Sequence, residues 1–246
     1  MYLKEKNCFF DIPPTEYCKG KFKVEELKET TASNGLLQLG EDFEKTIINY
    51  GRLEFDTPQT AYNRQADKAV IVSAEDQVRM YCQYYMPQYL KEAECVWRKK
   101  HQSIMKMAES CGKQVVMIDI GCGPATYGIA FAQRFAAEMN KIEYVGVDTS
   151  EEMLRMGERL FDERRLCEHE HNEKPWANVE QRFTSSLDEA VESLMLDDEA
   201  DKKSQPSRLV VFNIAHLFAC IDGNMAETLA MKINGIIQRY PQNKYT

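Results

Sequence analysis

The amino-acid sequence predicts an α/β fold built on a doubly wound parallel sheet, with a helical extension at its amino end. Two observations predict this fold. From residue 115 onward, short apolar runs alternate with segments of helical periodicity. The apolar runs are followed by Gly, Asp, Ser or Asn, which are turn-forming residues. Strands that alternate with helices in this way are typical of parallel sheets covered by helices on both faces.

The length and charge of the chain limit its class. It has 246 residues, of which 43% are hydrophobic and 28% charged, enough for one large domain or one domain with an appendage. The net charge of −8 argues against a broad nucleic-acid footprint, which needs clustered Lys and Arg. No apolar run approaches the length of a membrane span, and the first residues form no apolar signal core. We therefore expect a cytoplasmic protein without a membrane segment.

The amino-terminal part gives weak signals. We predict an extension or cap over residues 1–72 and the main domain over residues 73–246. Short helices are expected at 22–30 and 41–50, while Ile12-Pro13-Pro14 excludes regular structure locally. No chemical role for this part can be read from its residues.

A long helical stretch opens the main domain. Ser73-Ala-Glu-Asp76 resembles a capping box, and helical periodicity continues from Ala74 to about Met107. Pro87 is expected to split the stretch into two helices. Because the stretch is rich in Tyr and contains Trp97, we favour a face packed on the sheet over a lid above a ligand.

Strands and helices then follow one another along the chain. The predicted strands are Val115–Ile120, Glu143–Val147, Val179–Phe183 and Arg208–Phe212. The predicted helices are Ala125–Met139, a helix opened by the capping box Thr149-Ser-Glu-Glu152, Leu187–Leu196 and Ala226–Tyr240.

The sheet predicted from these strands lacks its carboxyl-terminal part. Asn243-Lys-Tyr-Thr246 reads as the start of a fifth strand that does not continue. An incomplete sheet leaves an edge that natural proteins seldom expose. Three explanations stay open: a shortened chain, a protein partner or second copy that completes the sheet, or an edge supplied by the amino-terminal residues. We expect a tight protein partner or a homo-oligomer.

Residues with ligand-binding chemistry follow the predicted strands. Asp119 ends the first strand and stands two residues before Gly121, and Gly123 comes two residues later. Ligands of doubly wound sheets bind beyond the carboxyl ends of the strands, where glycines let the backbone approach closely. A carboxylate at this place favours a cofactor with a cationic amine over one with a pyrophosphate. Asp148, which ends the second strand, can accept hydrogen bonds from both ribose hydroxyls of an adenosine.

These residues resemble two motifs of the class I S-adenosylmethionine (SAM)-dependent methyltransferases. The first is Asp119-x-Gly121-x-Gly123, and the second is Val145-Gly-Val-Asp148 followed by Ser150 and Met153. The resemblance covers about residues 74–240 and implies a Rossmann-like SAM-binding domain. It implies that Asp119 and the glycines flank the methionine part, that Asp148 binds the ribose and that later residues approach the adenine. The implied cofactor-binding residues are Asp119, Gly121, Cys122, Gly123, Asp148, Thr149, Ser150, Met153, Ser185 and Ser186.

Two departures from known patterns bear on this resemblance. Ala125 stands where the family usually has a third glycine, which we expect a slightly wider turn to accommodate. An NAD fingerprint would need glycine at position 126, where the chain has Thr126. A dehydrogenase is therefore the weaker hypothesis.

The segment after the fourth strand supplies the candidate catalytic residues, Asn213 and His216. It falls where the family has its fourth motif, but it lacks the Pro-Pro of enzymes that methylate exocyclic amines. His216 could act as a general base or orient a substrate; the alternative is a histidine bonded to backbone at a strand–helix turn. A weaker likeness joins Tyr81–Tyr89 to the ribosomal small-subunit methyltransferase-like family, although that family's iron–sulfur cysteine motif is absent.

No metal site is predicted. Glu168-His169-Glu170-His171 alternates in a polar stretch, which indicates a solvated loop, as does the acidic run at 197–201. The eight cysteines are scattered and form no C-x-x-C pair, which favours reduced thiols over a disulfide frame or zinc site.

We therefore expect a SAM-dependent methyltransferase that acts on an unidentified acceptor, RNA or protein. The alternative is a catalytically inactive methyltransferase-like subunit with a structural or regulatory role in a complex. In methyl transfer the protein contributes mainly positioning and electrostatics.

Overall fold

The computed structural model describes residues 59–63, 68–72, 74–166, 176–195, 208–215, 217 and 223–246. They fall into two compact units. The smaller contains the described residues up to Leu90 together with Ser150–Met153, and the larger contains Lys91–Thr149 and the described residues from Leu154 to Thr246.

The smaller unit begins with a hairpin. Strands β1 (Gln59–Asn63) and β2 (Lys68–Val72) pair antiparallel, with Gln59 opposite Val72 and Asn63 opposite Lys68. The sequence analysis did not anticipate this hairpin within the predicted helical extension. The helices predicted at 22–30 and 41–50 lie outside the described residues.

The long helical stretch divides as predicted. Helix α1 (Ala74–Tyr84) ends one residue before α2 (Met86–Glu109), and Pro87 lies in the first turn of α2. Proline is tolerated in a first turn because its missing N–H would have no intrahelical acceptor there. In the larger unit, α2 packs on the next helix through Trp97, whose indole N–H donates to the Tyr127 carbonyl at 3.1 Å.

The larger unit contains a Rossmann-like parallel sheet with helices, which confirms the α/β part of the predicted fold class; the helical amino-terminal extension and the missing carboxyl-terminal strands stay predictions. Its strands all run parallel, in the spatial order β5-β4-β3-β6-β7. They are β3 (Gln114–Ile120), β4 (Lys141–Val147), β5 (Val179–Thr184), β6 (Leu209–Asn213) and β7 (Lys244–Tyr245). The chain builds outward from β3 through β4 to β5, then returns to add β6 on the other side of β3. The strand order therefore reverses between β3 and β6, the usual position of a ligand site.

The helices between the strands are α3 (Thr126–Phe135), α4 (Glu151–Leu166), α5 (Leu187–Met195) and α6 (Gly223–Arg239). The residue that caps α4 differs from the prediction. Ser150, rather than Thr149, caps the helix, because the Ser150 hydroxyl accepts a hydrogen bond from the Met153 N–H at 3.2 Å. The predicted capping box was therefore placed one residue too early.

The core lies on both faces of the sheet. On one face, β3, β4 and β6 pack with α5 and α6 through Val116, Val145, Val210, Val191 and Ile236. On the other face, aromatic residues meet: Tyr144 stacks on Phe161 with ring centroids 4.8 Å apart, and Phe161 lies 5.3 Å from Trp176. Because β3 is buried from Val115 to Ile120, the sheet centre gives a rigid base for residues at its carboxyl end.

The predicted start of a fifth strand is confirmed. β7 pairs with Leu209 and Val210 of β6, and the Thr246 N–H donates to the Val210 carbonyl at 3.1 Å. Within the described part of the chain, no helix is long and apolar enough to cross a membrane.

Candidate functional site

The glycine turn after β3 is held against the end of β4. The N–H groups of Gly121 and Cys122 both donate to the Val147 carbonyl, at 2.7 and 3.1 Å. Gly121 and Gly123 have φ values of +73° and +53°, in the left-handed region that favours glycine. The turn therefore brings its backbone close to the carboxyl ends of two adjacent strands.

Ala125 has a backbone conformation that usually favours glycine. It adopts left-handed backbone angles, with φ of +61° and ψ of +31°, directly before α3. A residue with a Cβ pays roughly 1–2 kcal/mol for this conformation. Alanine therefore takes the left-handed conformation itself; the expected wider turn stays a prediction.

Asp119 lies at the centre of the site, with a side chain that is only 2% exposed. Its Oδ1 accepts a hydrogen bond from the Asn213 Nδ2 at 2.6 Å, and its Oδ2 accepts one from the Tyr144 Oη at 3.1 Å. The pKa of Asp119 is raised to about 6, mainly by burial and also by the negative charge of Asp148, against the lowering effect of these two donors.

Asp148 joins the second strand tip to the glycine turn. Its Oδ2 accepts a hydrogen bond from the Gly123 N–H at 2.8 Å, so the carboxylate after β4 and the turn after β3 are linked. The structure therefore brings together six of the predicted residues, which are Asp119, Gly121, Cys122, Gly123, Asp148 and Asn213.

Tyr144 is a residue of the candidate site that was not predicted from the sequence. Its ring occupies the space that a side chain at position 128 would need, because a Cβ on Gly128 would lie 2.0 Å from the Tyr144 ring. A glycine inside a helix, next to a strand with a large aromatic residue, is the signal that could have indicated this packing. No sequence pattern indicates the hydrogen bond from the Tyr144 hydroxyl to Asp119, since the two residues lie 25 positions apart.

Cys122 contributes packing rather than a nucleophile. Its thiol is buried and donates to the Gly123 carbonyl at 3.3 Å. Burial, together with the charges of Asp119 and Asp148, raises the pKa of this thiol well above its usual range. The thiol therefore stays protonated at neutral pH, whereas cysteine nucleophiles need the thiolate.

The other predicted cofactor-binding residues are either exposed or belong to the caps of helices α4 and α5. Thr149 and Ser185 are exposed. The Ser186 hydroxyl accepts from the Glu189 N–H at 3.4 Å and so caps α5. Ser150 and Met153 belong to the smaller unit, where they form the cap of α4.

The end of β6 contributes Asn213 and a hydrophobic cover. Asn213 donates to Asp119, as described above, and Leu217 lies over the turn, since a Cβ on Gly121 would be 3.0 Å from the Leu217 Cδ1. His216, the other predicted catalytic residue, lies outside the described residues, as does Glu168–His171. In the described ranges, no group of three His, Cys, Asp or Glu residues could hold a metal ion.

One polar group at the site has no partner among the described residues. The hydroxyl of Thr126, the first residue of α3, is buried without a hydrogen bond. Buried hydroxyls are normally bonded, so an unbonded hydroxyl at the start of α3 is unusual. Two carboxylates beside a close backbone turn suit a cationic ligand with hydroxyl donors and disfavour a phosphate.

Comparisons with protein-family models, with curated proteins and with solved structures each found no match to this chain.

Proposed function

We propose that the protein is a SAM-dependent methyltransferase. The observation that carries the proposal is the pairing of Asp119 and Asp148 across one glycine turn, at the edge where the strand order reverses. Asp119 would accept the α-ammonium of SAM, and Asp148 would accept the ribose hydroxyls. Because a carboxylate offers about four lone-pair sites, both residues keep acceptor capacity beyond the bonds described above.

The chemistry asked of these residues is positioning. SAM supplies a methyl group on a sulfonium, which an acceptor displaces in line. Asp119 and Asp148 hold the two ends of the donor, and the turn lets the backbone approach it closely.

A catalytically inactive, methyltransferase-like subunit is the second candidate. One observation favours it: the Asp148 Oδ2 already bonds the Gly123 N–H, so the protein itself holds the turn in place. The acceptor of the methyl group, RNA or protein, and a partner that completes the sheet stay predictions.

Replacing Asp148 tests the proposal. Asp148→Ala should weaken SAM binding at least about 100-fold, since two charge-assisted hydrogen bonds to the ribose are lost. Asp148→Asn keeps an oxygen that can accept from the Gly123 N–H. The affinity of this variant for SAM therefore distinguishes a role of Asp148 in ligand contact from a role in supporting the turn. Titration calorimetry measures both variants, with Asp188→Ala as the control, because Asp188 is an exposed residue paired with Lys232.

Unchanged affinity in Asp148→Ala would refute the ribose assignment. Tight binding of NAD instead of SAM would support the dehydrogenase. SAM binding without methyl transfer to any RNA or protein that co-purifies would favour the inactive subunit over the enzyme.

A further inference from the structure

Both oxygens of the buried Asp119 carboxylate are engaged by donors from the two neighbouring strands. On one side β6 brings Asn213, whose Cα is the register partner of the Asp119 Cα. On the other side β4 brings Tyr144. The carboxylate is thus fixed between the strands at the point where the sheet order reverses.

We infer that Tyr144 and Asn213 are positioning residues: by holding both Asp119 oxygens, they set the pH range in which this site accepts an ammonium-bearing ligand. The inference rests on the proposed function for the identity of that ligand. Neither residue needs to contact the ligand, because each acts through Asp119.

The Tyr144 hydroxyl is rigidly placed. The Tyr144 ring stacks on Phe161 at 4.8 Å and meets Phe183 edge-on at 5.6 Å. Its remaining side is closed by α3, where only a glycine at position 128 leaves room for the ring. Packing of the ring on several sides holds the hydroxyl oxygen beside Asp119, so this oxygen stays in place when the carboxylate gains or loses a proton.

The groups that face Asp119 shift its pKa in opposite directions. Burial and the negative charge of Asp148, after β4, disfavour the ionised carboxylate. Asn213 on β6, Tyr144 on β4 and the backbone of Gly128 on α3 favour it through hydrogen bonds. The Cys122 thiol in the turn is neutral, since its pKa is raised well above the usual range. The balance puts the pKa of Asp119 at about 6.

Because Asp119 titrates near pH 6, the affinity of the site for a cationic ligand should depend on pH. An ammonium ligand needs the ionised form, so its affinity should rise as the pH increases through the Asp119 pKa. With a pKa of about 6, the ionised fraction and hence the affinity increase about tenfold from pH 5 to pH 7. Loss of one hydrogen-bond donor to Asp119 should move the pH at which the affinity rises upward by about one unit.

The test compares two ligands over that pH range. SAM carries the α-ammonium, which stays protonated below pH 7, whereas 5′-methylthioadenosine lacks the amino-acid part. Calorimetry from pH 5 to pH 7 measures both ligands on the full chain. The variants are Tyr144→Phe, which keeps the stacked ring, and Asn213→Ala. Tyr245→Phe is the control, because its hydroxyl donates to the Tyr240 carbonyl at 2.7 Å, away from Asp119.

The inference predicts a pH-dependent affinity for SAM that shifts upward in Tyr144→Phe and Asn213→Ala but not in Tyr245→Phe, with a flat profile for 5′-methylthioadenosine. In parallel, NMR titration of the Asp119 carboxyl carbon measures its pKa in the ligand-free protein. An upward shift in both variants supports the positioning role even if SAM does not bind, in which case the proposed function fails alone. An unchanged Asp119 titration in both variants would overturn the inference.

Discussion

Asp119 shows how a single residue can place function in conflict with stability. Its pKa of about 6 lies above the ordinary value of 3.8, so the folded protein holds this proton at pH values where the unfolded chain has released it. The favourable contribution of this group is complete below about pH 4 and is lost as the pH rises through 6. The shift corresponds to about 3 kcal/mol of lost stability at neutral pH.

Asp119→Asn should therefore raise the free energy of unfolding at pH 8 by about 1–3 kcal/mol and, on the proposed function, abolish SAM binding. The neutral amide keeps the volume of the carboxyl but removes the buried charge. The gain stays below the full electrostatic cost because the new NH2 group faces the donors Asn213 and Tyr144. Urea denaturation at pH 8 and pH 5 measures the effect, which should be smaller at pH 5. A less stable variant at pH 8 would contradict it.

At the scale of elements, the contact between α3 and β4 depends on one missing side chain. Gly128 lies inside α3, where glycine is otherwise unfavourable, and its place is taken by the Tyr144 ring. The helix thus lies close to the sheet at the cost of some intrinsic helix propensity. In return, the tyrosine is fixed beside Asp119.

Gly128→Ala should destabilise the protein by about 1–3 kcal/mol or more, because the new methyl group would overlap the Tyr144 ring. Gly235→Ala is the matched control: Gly235 lies in α6 with nothing within 4 Å of an added Cβ, so the change should stabilise by about 0.5–1 kcal/mol. Thermal denaturation of both variants measures the difference. Equal stability of the two would show that α3 can move away from β4.

The helices and strands could be predicted where the apolar pattern of the sequence matches the burial of the residues in the structure. The strands β3, β4 and β6 are buried apolar runs, so their positions follow from the sequence within two residues. The hairpin was missed because β1 reads Gln-Thr-Ala-Tyr-Asn, a polar run whose pairing depends on its partner. The cap of α4 was misplaced since Thr149 and Ser150 are both good caps, and only geometry selects between them.

At the scale of the whole molecule, the candidate site could be predicted only in part. Asp119, Asp148 and the glycines stand next to strand ends, so the parallel sheet brings them to one edge. The two side-chain hydrogen bonds to Asp119 could not be predicted, because their donors Tyr144 and Asn213 lie 25 and 94 residues later in the chain. Such contacts depend on strand order and register, which a single sequence does not reveal.

The sheet edge carries a prediction about assembly. In the described part of the chain, β7 pairs only with β6, and α6 exposes Met225 and Met231. Because exposed edges and apolar residues promote association, we expect the purified chain to self-associate or to retain a protein partner. Size-exclusion chromatography with light scattering measures this, and Met231→Lys should weaken any association through α6. A stable, soluble monomer would argue against the prediction.

The depth of Asp119 has a consequence for how the site responds to dissolved salt. Mobile ions screen charges at the surface, but they do not surround a carboxylate that is only 2% exposed. Raising the ionic strength would weaken encounters that depend on the overall charge of −8. On the proposed function, attraction of the ammonium group to the buried carboxylate would persist in the same buffers, so the affinity should respond to pH more than to salt.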